Sequence, residues 1–472
     1  MADAKNNIIL ITVDSLRADR LSCYGYPKPT SPNIDLFARQ AERYTHAFSH
    51  GPNTPHAFPA IMASCSALAS NRLGLFDAPV TLAEVLRNAG YTTAGFNAAN
   101  PYVSRYFAYD RGFDDFHDYL NFDLPSSGFV VKSFPKRDSS ALISIPGLNM
   151  ERYLVTENNI RGKAELESTI NNEIFSVIKS IKGQPFFLWI HYMDTHYPYL
   201  PQMQPQSELA MQVISKEENF NLNVRVRENM DMSADLLNKV NLLYDASVRQ
   251  VDFKIGELVQ FLEGEDLYDS SLVIFTADHG EEFREHGDLQ HKSKLYDELI
   301  HVPLLIKKPF QADGLVCNEM ISLMRLPATI LSVVKIDNPF PCTSFVEEAK
   351  FDNSPGTAFI FSTASYGKNN ASPVERDMFR LARMPKIYAC RTKGWKLIAK
   401  SSGEKLLFNL VKDPGERVNI SDSDFAKQNA LDSILTDYKN YLERLQIRSQ
   451  IRRLHKIFVN GGLNKRGTDD KM

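Results

Sequence analysis

The chain has 472 residues, of which 43% are hydrophobic and 24% are charged, and its formal net charge is −3. This composition is typical of globular proteins, and the length allows one large domain with an appendage. The slightly negative charge argues against a general affinity for nucleic acid. The sequence has no run of about 18 apolar residues, so we expect no membrane span.

The cysteines are few and scattered: Cys23, Cys65, Cys317, Cys342 and Cys390. Their odd number and the lack of a Cys-x-x-Cys pair argue against a disulfide framework and against a cysteine-built zinc site. The first residues, MADAKNNIILITVD, lack the long apolar stretch of a secretory signal. We therefore expect a cytoplasmic protein.

Four short apolar runs end in polar residues, at Asp14, at Asn97 and Asn100, at Asp194 and at Asp278. Apolar runs without alternation are typical of buried strands in a mainly parallel sheet. Because ligands bind at the carboxyl ends of the strands in such sheets, we expect these polar side chains to converge although they are distant in sequence.

Helical patterns separate these runs. A helix is predicted over Thr81–Gly90, with a threonine cap and a glycine stop, and a second over Asp235–Leu262. The alternation of strands and helices predicts an α/β fold with three layers, α/β/α, and a mainly parallel sheet.

The chain divides into three predicted parts. Residues 1–337 form a large α/β domain, with irregular insertions near 120–180 and 201–233. Residues 338–422 form a small α+β subdomain, because KIYACRTKGWKLIAK and KLLFNLV alternate as antiparallel strands do, and DPGE marks a turn. Residues 423–472 form a long helix and a basic tail, which is a solvated face, a contact with an acidic partner, or a contact between subunits of a homo-oligomer.

The segment TADHGEEFREHGDLQHK places Asp278 and His279 at a predicted strand end, with His286 and His291 in the following loop. Carboxylate and imidazole groups are good ligands for zinc, manganese or another divalent ion. The alternative is that these polar residues line an exposed loop.

The segment HYMDTHYPYLP places His191, Asp194 and His196 where another predicted strand ends. These residues could supply further ligands or a general acid, and a simple turn is the alternative. Asp14, which closes the first strand, is a natural metal ligand or a helix cap.

The stretch HGPNTPHAFPAIMAS contains a predicted helix start at Thr54, because proline, here Pro55, is favoured in the first helical turn. Thr54 is predicted as the N-cap, with its hydroxyl at the positive end of the helix, a position that suits an anion. Most capping threonines are only caps. A neighbouring metal cluster that requires a nucleophile favours the catalytic interpretation of Thr54.

Five segments in order resemble the sulfatase family of the alkaline phosphatase superfamily: NIILITVDSLRADRLSCYGY, the Thr54 turn, HYMDTHYPYLP, TADHGEEFREHGDLQHKSKLYDELIHVPLLI and WKLIAK…KLLFNLVKDPGERVNI. The resemblance implies an alkaline-phosphatase-like α/β/α core with a small C-terminal antiparallel sheet and helix. It also implies a metal-dependent hydrolase of a small anionic ester.

The resemblance also implies roles for individual residues. Asp14, Asp278, His279 and Thr54 match ligands of a divalent ion, which could be manganese, zinc or calcium, and Thr54 also matches the nucleophile. His196 matches the histidine near the leaving group, and Lys292 matches the lysine that holds the anionic group. The residues that match ligands of a second ion, whose presence stays open, are Asp194, His291 and His191.

The sequence departs from the family pattern at the nucleophile and at a position after the first strand, and both departures affect the expected chemistry. Formylglycine-dependent members carry Cys-x-Pro-x-Arg, whereas this window reads Thr54-Pro-His-Ala-Phe58, and the second aspartate after the first strand is Ser15. No formylglycine can form here. We therefore predict a hydrolase of phosphate mono- or diesters. The alternatives are a sulfatase that acts without formylglycine, a phospho-group transferase, and a non-catalytic anion-binding relative.

Overall fold

The computed structural model describes residues 5–70, 72–121, 130–131, 169–201, 214–341, 359–365 and 384–464. Within these residues the strands are, in chain order, β1 (Ile8–Val13), β2 (Glu42–Phe48), β3 (Thr92–Asn97), β4 (Asp115–His117), β5 (Leu120–Asn121), β6 (Val130–Val131), β7 (Phe186–Tyr192), β8 (Leu272–Ala277), β9 (Glu282–Phe283), β10 (Leu289–Gln290), β11 (His301–Lys307), β12 (Leu315–Ser322), β13 (Ile360–Ser365), β14 (Lys386–Arg391), β15 (Trp395–Lys400) and β16 (Lys405–Asn409). The α-helices are α1 (Pro32–Ala38), α2 (Thr54–Ala63), α3 (Leu82–Asn88), α4 (169–181), α5 (Lys216–Arg227), α6 (Ala234–Gly264), α7 (Asp297–Ile300), α8 (Leu326–Val333) and α9 (Phe425–Asn464).

Eight strands form the main sheet, in the order β12-β2-β11-β8-β1-β7-β3-β4. Neighbours are parallel except at β11, which runs antiparallel to β2 and β8. The four apolar runs of the sequence are β1, β3, β7 and β8, and they are neighbours in the sheet in the order β8-β1-β7-β3. β1, β7 and β8 are buried at every position, because helices cover a parallel sheet on both faces, and this explains why their sequences do not alternate.

Helices accompany the sheet in two groups. In one group α6 contacts α1 and α5, and in the second α2 contacts α3 and α8. The predicted α/β/α architecture is thus confirmed. The predicted helices are confirmed as well: α3 follows Thr81, whose hydroxyl accepts a hydrogen bond from Glu84 N in a capping box, and α6 covers the predicted 235–262 span.

The small C-terminal sheet has the antiparallel order β13-β14-β15-β16. Helix α9 packs on it through Leu431 and Leu435, which join Leu397 and Leu407 in one apolar cluster. A second cluster, which includes Phe48 of β2, joins this sheet to the large domain. The antiparallel strands and the helix are as predicted, whereas the domain boundaries at 337 and 422 stay predictions.

The two predicted insertions are described in part. Of the segment 120–180, residues 122–129 and 132–168 lie outside the described residues, and α4 follows them. In the segment 201–233, which is predicted as an insertion, residues 216–227 form helix α5, capped by the Ser215 hydroxyl. No helix among the described residues is long and apolar enough to cross a membrane.

Candidate active site

Polar residues meet at the carboxyl edge of the main sheet. β1 pairs with β8 on one side and with β7 on the other, and β7 pairs with β3. The residues that follow or end these four strands are therefore neighbours in space, which is the convergence that the sequence predicts. They include Asp14, Asn100, His191 and Asp278.

Asp14, Asp278 and His279 form the centre of this edge. Their ligand atoms lie within 4.8 Å of one another, and all three side chains are fully buried. Glycine is needed after His279 because Gly280 lies against the backbone of α7, where a Cβ would be 2.0 Å from Glu298 O. Ser15 supports both carboxylates: its backbone N donates to Asp278 Oδ1 at 3.2 Å and its hydroxyl to Asp14 Oδ1 at 2.7 Å.

The electrostatics of these residues fit a divalent cation. Burial and the neighbouring charge of Asp14 raise the pKa of Asp278 to about 8. For Asp14, the imidazoles of His196, His191 and His279 outweigh burial and hold its pKa well below the usual range. Asp278 Oδ2 is buried without a hydrogen-bond partner among the described residues. A bound cation would stabilise two adjacent buried carboxylates, one of which has an oxygen without a hydrogen-bond partner.

Thr54 lies at this centre, but it is not the helix N-cap that the sequence predicts. Asn53 has the extended N-cap conformation, and its carbonyl accepts hydrogen bonds from the backbone N of His56 and Ala57, so Thr54 is the first helical residue. The Thr54 hydroxyl instead faces the cluster, with Oγ1 3.3 Å from Asp14 Oδ2 and 3.4 Å from His279 Nε2.

Asn100 is a site residue to which sequence reasoning assigned no role. Its Nδ2 donates to Asp14 Oδ2 at 2.6 Å and lies 3.4 Å from Thr54 Oγ1. Asn97, at the end of β3, holds the turn by accepting from Asn100 N at 2.9 Å. The position of Asn100 at the end of an apolar run was the sequence feature that could have identified it as a site residue.

Three histidines of the predicted set also reach the site. His191 Nε2 lies 3.4 Å from Asp14 Oδ2. The His291 ring lies between the other imidazoles, with its centroid 4.5 Å from that of His279 and 5.0 Å from that of His196. Buried Glu281 was missed by sequence reasoning: its Oε1 lies 3.0 Å from His291 Nδ1. This carboxylate outweighs burial and raises the pKa of His291 to about 9.

Two residues of the predicted site are engaged elsewhere. Asp194 was expected to bind a second ion, but its Oδ1 accepts from Lys254 at 2.5 Å and from Gln250 at 2.7 Å, both on α6. Lys292 was expected to hold the anionic group, but its Nζ pairs with Asp288 at 2.6 Å and its side chain is 47% exposed. In this loop His291, one residue earlier, turns toward the site instead.

His286 of the same loop also lies apart from the cluster. Its Nδ1 is 2.6 Å from Glu298 Oε1, and its ring stacks on Tyr296. It therefore links the loop to α7 and is not a ligand of the central cluster.

Comparisons with known proteins agree with this fold. The arylsulfatase of Clostridium perfringens is 23% identical over 470 residues, which cover 90% of this chain and 92% of that protein. The choline-sulfatase of Rhizobium meliloti is 21% identical over 451 residues, which cover 90% and 84%. The structure of the phosphonate monoester hydrolase of Agrobacterium radiobacter superposes with a TM-score of 0.65 at 18% identity, covering 94% of this chain and 96% of that one.

The model of the family described as "Sulfatase" matches residues 6–336 of the chain, which include every residue of the central cluster. The resemblance drawn from the sequence motifs is thereby confirmed. The chain belongs to the sulfatase family.

Proposed function

We propose that this protein hydrolyses a small anionic ester, with Thr54 as the nucleophile. The observation that carries this proposal is the position of Thr54 Oγ1, within 3.4 Å of both Asp14 and His279. A hydroxyl at the first turn of a helix, beside a buried cluster of metal-ligand type, is placed to be activated for attack.

Asp14, Asp278, His279 and Thr54 would hold a divalent cation such as manganese, zinc or calcium. When bound, this ion would lower the pKa of the Thr54 hydroxyl and neutralise the charge of the substrate. We propose one ion, because the charge of Lys254, paired with Asp194 Oδ1, already offsets the carboxylate that a second ion would need.

The side chains then have distinct tasks. Thr54 loses its proton to solvent, and its Oγ1 forms a bond to the sulfur or phosphorus while the ester bond breaks. His196 donates Nδ1–H to Tyr197 O, which leaves Nε2 to give a proton to the departing oxygen. A water molecule attacks the same central atom and gives one proton to the now neutral His196, the bond to Thr54 Oγ1 breaks, and the anion is released, which restores the Thr54 alkoxide and protonated His196. Asn100, which already contacts Thr54 and Asp14, would orient an oxygen of the transferred group.

A sulfate ester is the substrate that we favour. The curated relatives are named as sulfatases, which supports this alternative over the phosphate preference drawn from the sequence. The charges agree: Lys292 and Lys254 are already paired with the carboxylates of Asp288 and Asp194, and Phe58, at the position of the family's arginine, packs on His191. Imidazoles suit a monoanion better than a dianion.

Monoanionic phosphorus esters are the second candidate. Thr54 in place of the formylglycine cysteine favours them. Water can attack the phosphorus of a phosphorylated threonine and so free the hydroxyl without formylglycine chemistry. A phosphate diester or a phosphonate monoester carries one negative charge, as a sulfate monoester does, whereas an aryl phosphate monoester carries two.

The test compares turnover of an aryl sulfate, a bis-aryl phosphate, an aryl phosphonate and an aryl phosphate by the manganese-, zinc- or calcium-supplemented protein. We expect the three monoanions to be hydrolysed faster than the aryl phosphate, with the sulfate fastest. Thr54→Ala should abolish turnover while bound metal stays near the wild-type amount, and Thr54→Ser should retain part of the activity. Full activity of Thr54→Ala would refute the proposed nucleophile.

A further inference from the structure

We propose that His56 is a positioning residue for Thr54, through which strand β13 of the C-terminal sheet holds the start of helix α2. This inference rests on the proposed role of Thr54 as nucleophile. It concerns a part of the chain that sequence reasoning treated as a separate subdomain, and it assigns that part a task in the reaction.

The hydrogen bonds of His56 define its tautomer. Its Nε2 lies 3.0 Å from the backbone N of Ser365, the last residue of β13, and its Nδ1 lies 2.6 Å from Asn53 Oδ1. A backbone N–H can only donate, so Nε2 is the acceptor. Nδ1 therefore carries the proton and donates it to Asn53.

Asn53 transmits this contact to the nucleophile. It is the N-cap of α2 and directly precedes Thr54, yet its side chain makes no capping hydrogen bond to the helix. Its side-chain oxygen is held by His56 instead. The orientation of the cap thus depends on the imidazole, and a rotation of the cap would move Thr54 Oγ1 away from Asp14.

Packing leaves the imidazole little freedom. His56 is 5% exposed, and it lies so close to Gly51 that a Cβ there would be 2.3 Å from His56 Cβ. Strand β13 also contacts the chain before the cap: Thr363 N donates to His50 O at 2.7 Å, and the Ser362 hydroxyl donates to Ser49 O at 2.7 Å. Of these contacts with β13, the hydrogen bond of His56 is the one whose residue also bonds to the Asn53 side chain.

The position of His56 distinguishes this chain from the Cys-x-Pro-x-Arg pattern that it resembles. In that pattern the second residue after the nucleophile is proline, which has no side-chain donor or acceptor. An imidazole at this position can join the cap to a distant strand. We infer that the link compensates for the absent proline in holding the turn.

The test compares His56→Ala and His56→Asn with a matched control, Ser362→Ala. Asparagine places an amide N–H near the position of Nδ1, so it keeps the donor to Asn53 and loses the contact with Ser365. Ser362→Ala removes a buried hydrogen bond between the same strand and the same turn without touching Asn53. For each variant kcat, KM and the melting temperature are measured on the best aryl ester.

We expect His56→Ala to lower kcat by ~10- to 100-fold with KM changed by less than about threefold, because a small displacement of a reacting group has effects of this size. His56→Asn should recover part of the loss. Ser362→Ala should lower the melting temperature but leave kcat within about twofold of wild type. A His56→Ala protein with wild-type kcat, or kcat losses that follow the melting temperature in all three variants, would overturn the inference.

A crystal structure of His56→Ala provides a test without turnover. We expect Thr54 Oγ1 to move by ~1 Å relative to Asp14, and an unchanged position would refute the positioning role. Thr54→Ala in the same assays separates the two proposals. If Thr54→Ala is inactive and the His56 variants behave as Ser362→Ala does, the inference fails while the proposed nucleophile stands; if Thr54→Ala is active, both fail.

Discussion

Glu281 Oε1 accepts a hydrogen bond from His291 Nδ1 at 3.0 Å, and the glutamate is fully buried. Its second oxygen accepts from the Tyr199 hydroxyl at 2.8 Å. Both carboxylate oxygens therefore have donors, which a buried charge requires. The pair fixes the His291 ring, so that in the proposed reaction Nε2 is the nitrogen that would face the substrate.

Glu281→Gln is expected to lower kcat by ~10- to 100-fold, because partners that orient a site histidine have effects of this size. The amide keeps the volume of the side chain but loses the charge that holds His291 in place. Steady-state kinetics would measure the effect. Tyr199→Phe is the control, since it leaves the carboxylate facing His291, and equal losses in both variants would contradict the role of the charge.

A divalent cation is expected to raise the melting temperature of the metal-free protein. Asp14 and Asp278 are fully buried side by side, and an ion that binds only the folded state at 100 times its Kd adds about 2.7 kcal/mol to the free energy of unfolding. Thermal denaturation with and without manganese, zinc or calcium measures this shift. Asp278→Asn should reduce the response strongly, and an undiminished response would place the ion elsewhere.

The two lysines near the site are expected to behave differently. Lys254→Ala leaves Asp194, whose side chain is 1% exposed, without its cation and should cost ~3–5 kcal/mol of stability. Lys292→Ala breaks an exposed pair and should change stability by less than ~1 kcal/mol, with activity near wild type. Denaturant unfolding and activity assays check both. A large loss of activity in Lys292→Ala would restore its predicted role as an anion ligand.

The raised pKa of Glu416 predicts that the stability of the protein depends on pH. Burial raises its pKa to about 7, although Lys396 opposes the shift, and the ordinary value is 4.5. Between these values the folded state binds more protons than the unfolded state, so this group's stabilising contribution is complete below pH 4.5 and is lost as the pH rises through about 7. Glu416→Gln should remove this slope from urea unfolding measured across that window. An unchanged slope would show that Glu416 does not titrate there.

The fold and the central cluster could be predicted because they depend on local patterns. Buried strands of a parallel sheet are apolar throughout, and their carboxyl ends meet at one edge, so Asp14 and Asp278 were expected to converge. Asp-His-Gly at a strand end places His279 beside Asp278. Thr54 was found from the proline that follows it, although the cap itself is Asn53.

The other site residues depend on contacts that no local pattern encodes. The sequence assigned both His291 and Lys292 to the site, but only the His291 ring lies beside His279, whereas Lys292 pairs with Asp288. Asp194 is occupied by Lys254, which lies 60 residues later on α6. His56 has a partner 309 residues away, on a strand that the sequence assigned to another part of the chain.

The contact between His56 and Ser365 also means that the site is completed only late in the synthesis of the chain. Asp14, Thr54, Asp278 and His279 have all left the ribosome before Ser365 is made, so a nascent chain can assemble the main sheet without the strand that steadies the nucleophile. Long-range contacts of this kind form late, since closing so large a loop costs entropy that only native packing returns. Competence for catalysis should therefore arise in the last part of translation, and a chain that stops before residue 360 should keep the cation cluster while its threonine stays poorly aligned.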